Sequence, residues 1–331
     1  MHLPDALVSP ATAVAFDGVA VAAAAIATSR LARSEGLERR LPLLAGVAAL
    51  VFALRLVRLP VLGTGACGHV VGGLLAVILL GPEAGFLVVL AVQLAQAVLF
   101  ADGGLLAVGA NAVNAGVWPA LVALPVYRSL VGEGRPGRRV VVSAIAVSIV
   151  ALELGAVGVA VAVGGTGRPD LVSGRFLFLV MAAHLPMALV EGLATGAILL
   201  LLRRVLGPQG EAGVERATGS AGFFLFAAAL FAAAVLADFA SGRPEWPAWS
   251  LSRSGQEVPA DLPAAVEASQ ALQRKVAILP GYGAGSRGAR ELFGGATRSV
   301  AGLVGATASA ALAVAPGLAA VLARRARRRE G

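Results

Sequence analysis

The sequence predicts an all-α polytopic membrane protein: a seven-helix bundle followed by two more transmembrane helices, with the N-terminus outside and the C-terminus cytoplasmic. Three observations lead there. Hydrophobic residues make up 58% of the 331-residue chain and charged residues 14%, against roughly 25% charged in soluble domains, and mean hydropathy is +0.83. Apolar runs near the roughly 20 residues that span a bilayer recur along the chain. Arginines collect beyond alternate runs, as positive-inside topology requires.

The opening MHLPDALVSP has no basic n-region ahead of its apolar run and no A-x-A site behind it. It does not read as a signal peptide, and the mature chain is expected to start at Met1. Spans are expected at 9–29, 41–57, 85–100, 105–127, 140–164, 175–202, 219–240 and 299–322. The shorter HVVGGLLAVILLG, 69–81, is too short to cross straight, and its glycines suit close packing, so it counts as one more, partly buried helix, third in order. With nine helices, the clusters Arg30/Arg33/Arg39/Arg40, Arg128/Arg135/Arg138/Arg139, Arg203/Arg204/Arg216 and Arg324–Arg329 all fall on one face. That face is the cytoplasmic one, which puts Met1 and His2 outside; eight helices would put the last cluster on the wrong side.

Domain boundaries follow from composition. Residues 1–203 form the seven-helix unit, 204–218 a basic cytoplasmic linker, and 219–331 a two-helix unit whose outer loop, about 241–298, is rich in Pro, Gly, Ser and charge. Such a loop is expected to be partly disordered, with Trp246 and Trp249 at the membrane interface.

Several functions are excluded. The net charge of +8 sits on arginines between apolar spans, with no soluble basic domain to bind nucleic acid. The single cysteine, Cys67, rules out an internal disulfide framework. The only lysine, Lys275, precedes Val276, so a Walker A sequence is impossible.

Chemistry concentrates on three histidines, His2, His69 and His184. By the topology above, His2 and His69 share the outer side. The Met1 amine and the His2 amide nitrogen can close a five-membered chelate ring, and the amide with the His2 Nδ1 a six-membered one. Three nitrogens then lie in a plane, and His69 can fill the fourth position. Such a site suits Ni(II) or Cu(II) over tetrahedral Zn. The residues alone leave a plainer alternative: an exposed terminal histidine and a helix-start histidine.

The stretches MHLPDALVSP, ACGHVVGGLLAVILLGPEAG, QAVLFADGGLLAVGANAVNAG and HLPMALVEGLAT closely resemble the CbiM/NikM family, the substrate-binding membrane subunits of energy-coupling-factor transporters for nickel and cobalt. The resemblance covers roughly residues 1–200. It implies that Met1, His2 and His69 hold a transported Ni(II) or Co(II), with nickel favoured. It further implies that a transmembrane coupling protein and ABC-type ATPases are the partners, so that this chain is not itself an enzyme and carries no cofactor. The last two helices and their loop resemble the accessory subunit that such systems carry separately or fused. The small-residue stretch VAVAAAAIA of the first helix is the kind of surface on which a coupling protein docks.

Departures from the family are Ala6 where a glycine is usual, Cys67 where a serine precedes Gly-His, and Arg55 and Arg58, expected to snorkel outward. A Cys67 thiolate can compete as a soft ligand, although a small packed residue is the simpler reading. Asn111 and Asn114, at i and i+3, are expected on one helix face, bonding the folded-back N-terminus or a ligating imidazole, or gluing helices. Gln96 and Asp102 either position that N-terminal loop or cap a turn. His184 and Glu191, seven apart, are read as a buried polar pair or part of an ion path, and Glu153 and Asp17 find no specific partner in the sequence. Two other classes compete: an intramembrane metalloenzyme using His184, Glu191 and His69, without H-E-x-x-H spacing, and a proton-coupled secondary transporter using Glu153, Glu191 and Asp17, without visible inverted repeats.

Overall fold

The computed structural model describes residues 2–60, 66–132, 137–166, 173–206, 219–237, 246–256, 261–283 and 296–330. After a single 3-10 turn at Asp5–Leu7, helix α1 spans Pro10–Arg33; its N-cap Ser9 accepts from the Thr12 amide at 3.1 Å and Pro10 supplies a preset φ at the first turn. Helix α2 is Leu37–Leu56, followed by a two-stranded antiparallel hairpin of β1, Arg58–Pro60, and β2, Cys67–His69. Helices α3, Gly73–Leu80, and α4, Pro82–Phe100, come next. Helix α5 runs 108–131, α-wound at Val108–Ala112 and Leu124–Val131 but π-wound at Val113–Val117 and Pro119–Ala123. Then follow α6, Gly137–Gly164; α7, Gly174–Leu206; α8, Gly219–Leu236; α9, Trp246–Arg253; α10, Ala264–Val276; a 3-10 turn at Pro280–Gly283; and α11, Thr297–Glu330.

Five of these helices, α1, α4, α6, α7 and α11, are long and apolar enough among the described residues to cross a membrane. Helix α2 carries Glu38, Arg39, Arg40 and Arg55, α5 is split by its π-turns, and α8 is apolar over Gly222–Leu236. At eight residues α3 is only about 12 Å long. The chain is therefore a multi-pass membrane protein built around α2, α3 and α4, whose side chains are mostly buried. Helices α8 and α11 pack on α2 rather than standing apart. Glycines let them in: Gly222 lies against the Pro42–Leu43 backbone and Gly305 against the Phe52 ring.

The structure revises four expectations. The third helix begins at Gly73, not at residue 69, and His69 lies on β2. The amides of Val71 and Gly72 are satisfied by the Glu191 carboxylate at 2.7 and 2.9 Å, so that stretch has no need of helical hydrogen bonds inside the protein. Arg55 does not snorkel but is 1% exposed, and Arg58 turns inward to Asp102 at 2.7 Å. The described parts of the loop 241–298 are α9, α10 and the Pro280–Gly283 turn, packed on the bundle, with Trp249 partly buried against the core. Finally, Asn111 and Asn114 do not share a face, because the helix passes from α to π winding between them.

Candidate metal centre

The N-terminal segment folds back into one end of the bundle. Leu3, Leu7 and Val8 are buried anchors, and His2 and Asp5 are buried with them. Its backbone is gripped at Leu3: the Leu3 amide donates to Asn111 Oδ1 at 2.8 Å, and its carbonyl accepts from Asn111 Nδ2 at 3.2 Å and from the Gly104 amide at 3.0 Å. One residue type thus satisfies both polar groups of a buried peptide unit. Asp5 accepts from the Ala107 amide at 3.1 Å and from Ser269 Oγ at 2.6 Å. A Cβ on Gly104 would fall 1.8 Å from Asp5 Oδ1, so only glycine lets the segment lie this close.

His69 comes to the same place on β2, opposite Arg58 in the hairpin register. Its Nδ1 donates to the Val70 carbonyl at 3.0 Å. A carbonyl only accepts, so Nδ1 carries the proton and Nε2 offers the lone pair. Burial, aided by the nearby His2 and Arg55, holds the His69 pKa well below its usual value, keeping the ring neutral. The rings of His2 and His69 stand 4.8 Å apart at a 42° tilt.

His2 Nδ1 lies 3.0 Å from Asp102 Oδ1. Burial alone would raise the Asp102 carboxyl, but His2, the Arg58 guanidinium and the Tyr282 hydroxyl together hold it well below the usual carboxylate range. Asp102 is thus an acceptor, and His2 Nδ1 is the donor. Tyr282, in turn, is pushed well above the usual phenol range by burial and by Asp102.

Behind these groups runs a buried polar chain. Arg55 donates from Nε to the Val71 carbonyl and from Nη1 to Gln96 Oε1, both at 2.9 Å; Gln96 Nε2 donates to the Tyr282 oxygen at 3.0 Å, and Tyr282 donates to Asp102 Oδ2. The loop following His69 is therefore held from two sides, by Arg55 on a carbonyl and by Glu191 on two amides. A roof from the far end of the chain closes the site: Gln273 Nε2 donates to the Ala97 and Gly103 carbonyls at 3.0 and 2.7 Å, and the Tyr282 ring stacks on Phe100 at 4.7 Å.

Of the residues singled out from the sequence, His2, His69, Asn111, Asp102 and Gln96 meet here; Met1 lies outside the described residues. Gln96 and Asp102 position the N-terminal segment and its surroundings. Asn114 points instead at Gly158 of α6, where neither of its amide atoms has a hydrogen-bond partner. Cys67 is buried on β2. His184 Nδ1 donates to the Val180 carbonyl of its own helix at 2.7 Å, while Glu191 serves the Val71–Gly72 amides. Asp17 accepts from the Gly109 amide at 2.9 Å. Sequence reasoning missed Asp5, Ser269, Gln273 and Tyr282, and it read Arg55 and Arg58 wrongly. Tyr282 left one trace, a large residue between two glycines in PGYG; it adopts a positive φ of 59°.

Residues 2–207 match the family model CbiM, described as the cobalt uptake substrate-specific transmembrane region. The chain belongs to the CbiM family. A second match, to the PDGLE domain, covers 221–324. Among CbiM relatives, the cobalt transport protein of Sorangium cellulosum is 29% identical over 209 residues, 61% of this chain and 91% of its own. The fused nickel transport protein of Rhodobacter capsulatus is 37% identical over 127 residues, 38% of this chain and 36% of its own. The chain thus aligns with about a third of that fused relative. A crystal structure of a truncated transition metal transporter superposes with a TM-score of 0.53 at 27% identity, covering 62% of this chain and 99% of that one. CbiM membership makes this a membrane component of transition-metal import.

Proposed function

We propose that the chain captures Ni(II), with Co(II) as the runner-up, as the substrate-specific subunit of an ATP-driven importer. One observation carries the reading. The His2 and His69 imidazoles are buried 4.8 Å apart, yet among the described residues no group of three His, Cys, Asp or Glu side chains gathers to hold a metal. A metal between these rings can complete its coordination with the backbone and terminal nitrogens that adjoin His2 in the chain. That supports the set of the Met1 amine, the His2 amide and imidazole Nδ1, and His69 Nε2, a planar nitrogen site that suits Ni(II). Because His2 Nδ1 faces Asp102 in the structure, capture includes a turn of the ring toward its own amide. Amine and amide give up protons on binding, so affinity rises with pH.

The arginine distribution supports nine spans with His2 outside. Arg30, Arg40 and Arg128 border one depression, and Arg324 and Arg325 reach Ser34 and Glu38, all at the end of the bundle away from His2. Residues 1–203 form the capture unit, 204–218 the linker, and 219–331 an accessory unit whose Ser269, Gln273 and Tyr282 roof the site. A coupling membrane protein and ABC-type ATPases drive release inward; this chain does no covalent chemistry.

The test is Ni(II) and Co(II) binding by the full chain in two forms, with native Met1 and with Gly-Ser placed ahead of it. The extension leaves both histidines in place and removes the amine from the chelate. Loss of affinity and of the planar Ni(II) absorption band in the extended form alone is expected. Equal binding by both forms removes Met1 as a ligand and sinks the proposed site.

A further inference from the structure

Two consecutive peptide planes follow His69, and both donate to the carboxylate of Glu191. In the first, the Val70 carbonyl accepts from His69 Nδ1 at 3.0 Å, while the Val71 amide at the other edge of the same rigid plane donates to Glu191 Oε2 at 2.7 Å. In the second, the Val71 carbonyl accepts from Arg55 Nε at 2.9 Å, while the Gly72 amide donates to Glu191 Oε1 at 2.9 Å and to Oε2 at 3.2 Å. Gly72 makes the pair of planes possible. Its φ of 74° turns successive amides toward one anion, and a Cβ there would fall 2.8 Å from Val51 Cγ1.

Glu191 is 1% exposed, on a helix apolar enough to cross a membrane. A neutral carbonyl could satisfy the same two amides, and an ionised side chain in such surroundings is costly to keep without a use. The charge does something that satisfying the amides does not. An anion bonded to the Val71 N–H polarises that amide and makes the Val70 carbonyl oxygen more negative, since hydrogen bonds in a chain strengthen one another. His69 Nδ1–H then donates more strongly, which holds the proton on Nδ1 and leaves more electron density on Nε2. A metal-ligating histidine ordinarily has a carbonyl or a carboxylate behind its other nitrogen. Here a carbonyl stands behind it and a carboxylate backs the carbonyl, through one peptide.

We propose that Glu191 is a positioning residue of the metal centre: through the Val70–Val71 peptide, its charge fixes the His69 tautomer and raises the donor strength of Nε2. This role rests on His69 Nε2 being a ligand, as proposed above. It is neither a polar pairing with His184, which donates to the Val180 carbonyl, nor a step on an ion path, since both carboxylate oxygens are turned to the loop after His69.

The experiment uses the full chain with histidine labelled at its ring nitrogens. The chain has three histidines, so His69→Gln assigns the His69 signals by their absence. Proton–nitrogen correlation spectra of the metal-free protein then give the tautomer. The parent should hold its proton on Nδ1; a parent protonated on Nε2 overturns the proposal without any variant. Glu191→Gln tests the charge, because a carbonyl oxygen in the Oε2 position still reaches the Val71 and Gly72 amides, at 2.7 and 3.2 Å, and the loop keeps its bonds. This variant is expected to melt near the parent and to show the His69 proton shared between the two ring nitrogens. It should bind Ni(II) about 10- to 100-fold more weakly in chelator competition at one pH, with the Ni(II) absorption band moved to lower energy. An unchanged His69 tautomer overturns the proposal even where affinity falls, since a loosened loop alone would weaken binding; so does an unchanged band. If His69→Gln itself binds Ni(II) as the parent does, it is the ligand role of His69 that fails, and the metal-free tautomer alone decides what Glu191 does to the ring.

Discussion

Asn111→Ala should detach the N-terminal segment from the metal centre without unfolding the bundle. In the parent, the Leu3 amide has Asn111 Oδ1 as its acceptor at 2.8 Å, in a buried setting. Truncation leaves that N–H without its acceptor, at about 1–3 kcal/mol. The second bond, Asn111 Nδ2 to the Leu3 carbonyl, matters less, because that carbonyl keeps the Gly104 amide at 3.0 Å; its loss adds about 0.5–1 kcal/mol. The sum is about 1.5–4 kcal/mol. Only the docked segment brings His2 beside His69, so this cost falls on metal binding and corresponds to about a 10- to 700-fold rise in Kd at fixed pH. Competition with a coloured chelator measures it, and hydrogen exchange at the Leu3 amide reports docking separately. A variant that binds within threefold of the parent while Leu3 stays protected would refute the reasoning, showing that the burial of Leu3 and Leu7 holds the segment without Asn111.

Two further predictions concern the surroundings of the site. Tyr282→Phe removes the hydroxyl that donates to the Asp102 carboxylate and accepts from Gln96; it should cost about 1.5–3 kcal/mol of stability, as for hydrogen bonds to charged groups, and weaken metal binding several-fold, and an unchanged melting temperature and Kd would contradict the roof assignment. Because burial holds the His69 pKa well below 6.5, below pH 6.5 the unfolded chain takes up a proton that the folded chain refuses, so stability should fall as pH drops from 6.5 toward the folded pKa. His69→Ala should flatten that slope in melts across the same range; Asp102, held well below 3.8, makes its own loss only as pH falls below about 3.8.

Much of the fold is visible in the sequence because a bilayer imposes a local rule. Each span has to be apolar over its own length, and each arginine cluster marks a membrane face, so helix positions appear within a few residues of where the structure has them. The His2–His69 pair was also legible, since the MH opening and the CGH motif carry a donor chemistry that few other residues in this chain offer. Where local rules failed, a distant partner had taken over. Arg55 appears to a sequence reading as a charge at a helix end that ought to reach for water, yet Gln96 and the Val71 carbonyl satisfy it inside. The stretch at 69–72 is apolar enough for a helix, but Glu191, more than a hundred residues later, takes its amides.

By itself, then, the sequence determined a multi-pass helical membrane protein, the end at which its arginines gather, and which histidines can meet. Tertiary structure decided which of their possible roles Asn111 and Asp102 take, on Leu3 and on His2, and it alone showed that Asp5 helps to hold the N-terminus and that residues 264–283 roof the site. The physical reason is range. Hydropathy and charge act on a segment through its immediate surroundings, whereas the hydrogen bonds of Asp5 with Ser269 and of Gln96 with Tyr282 join residues 264 and 186 positions apart, and they form only because buried polar groups must find partners wherever the fold brings them.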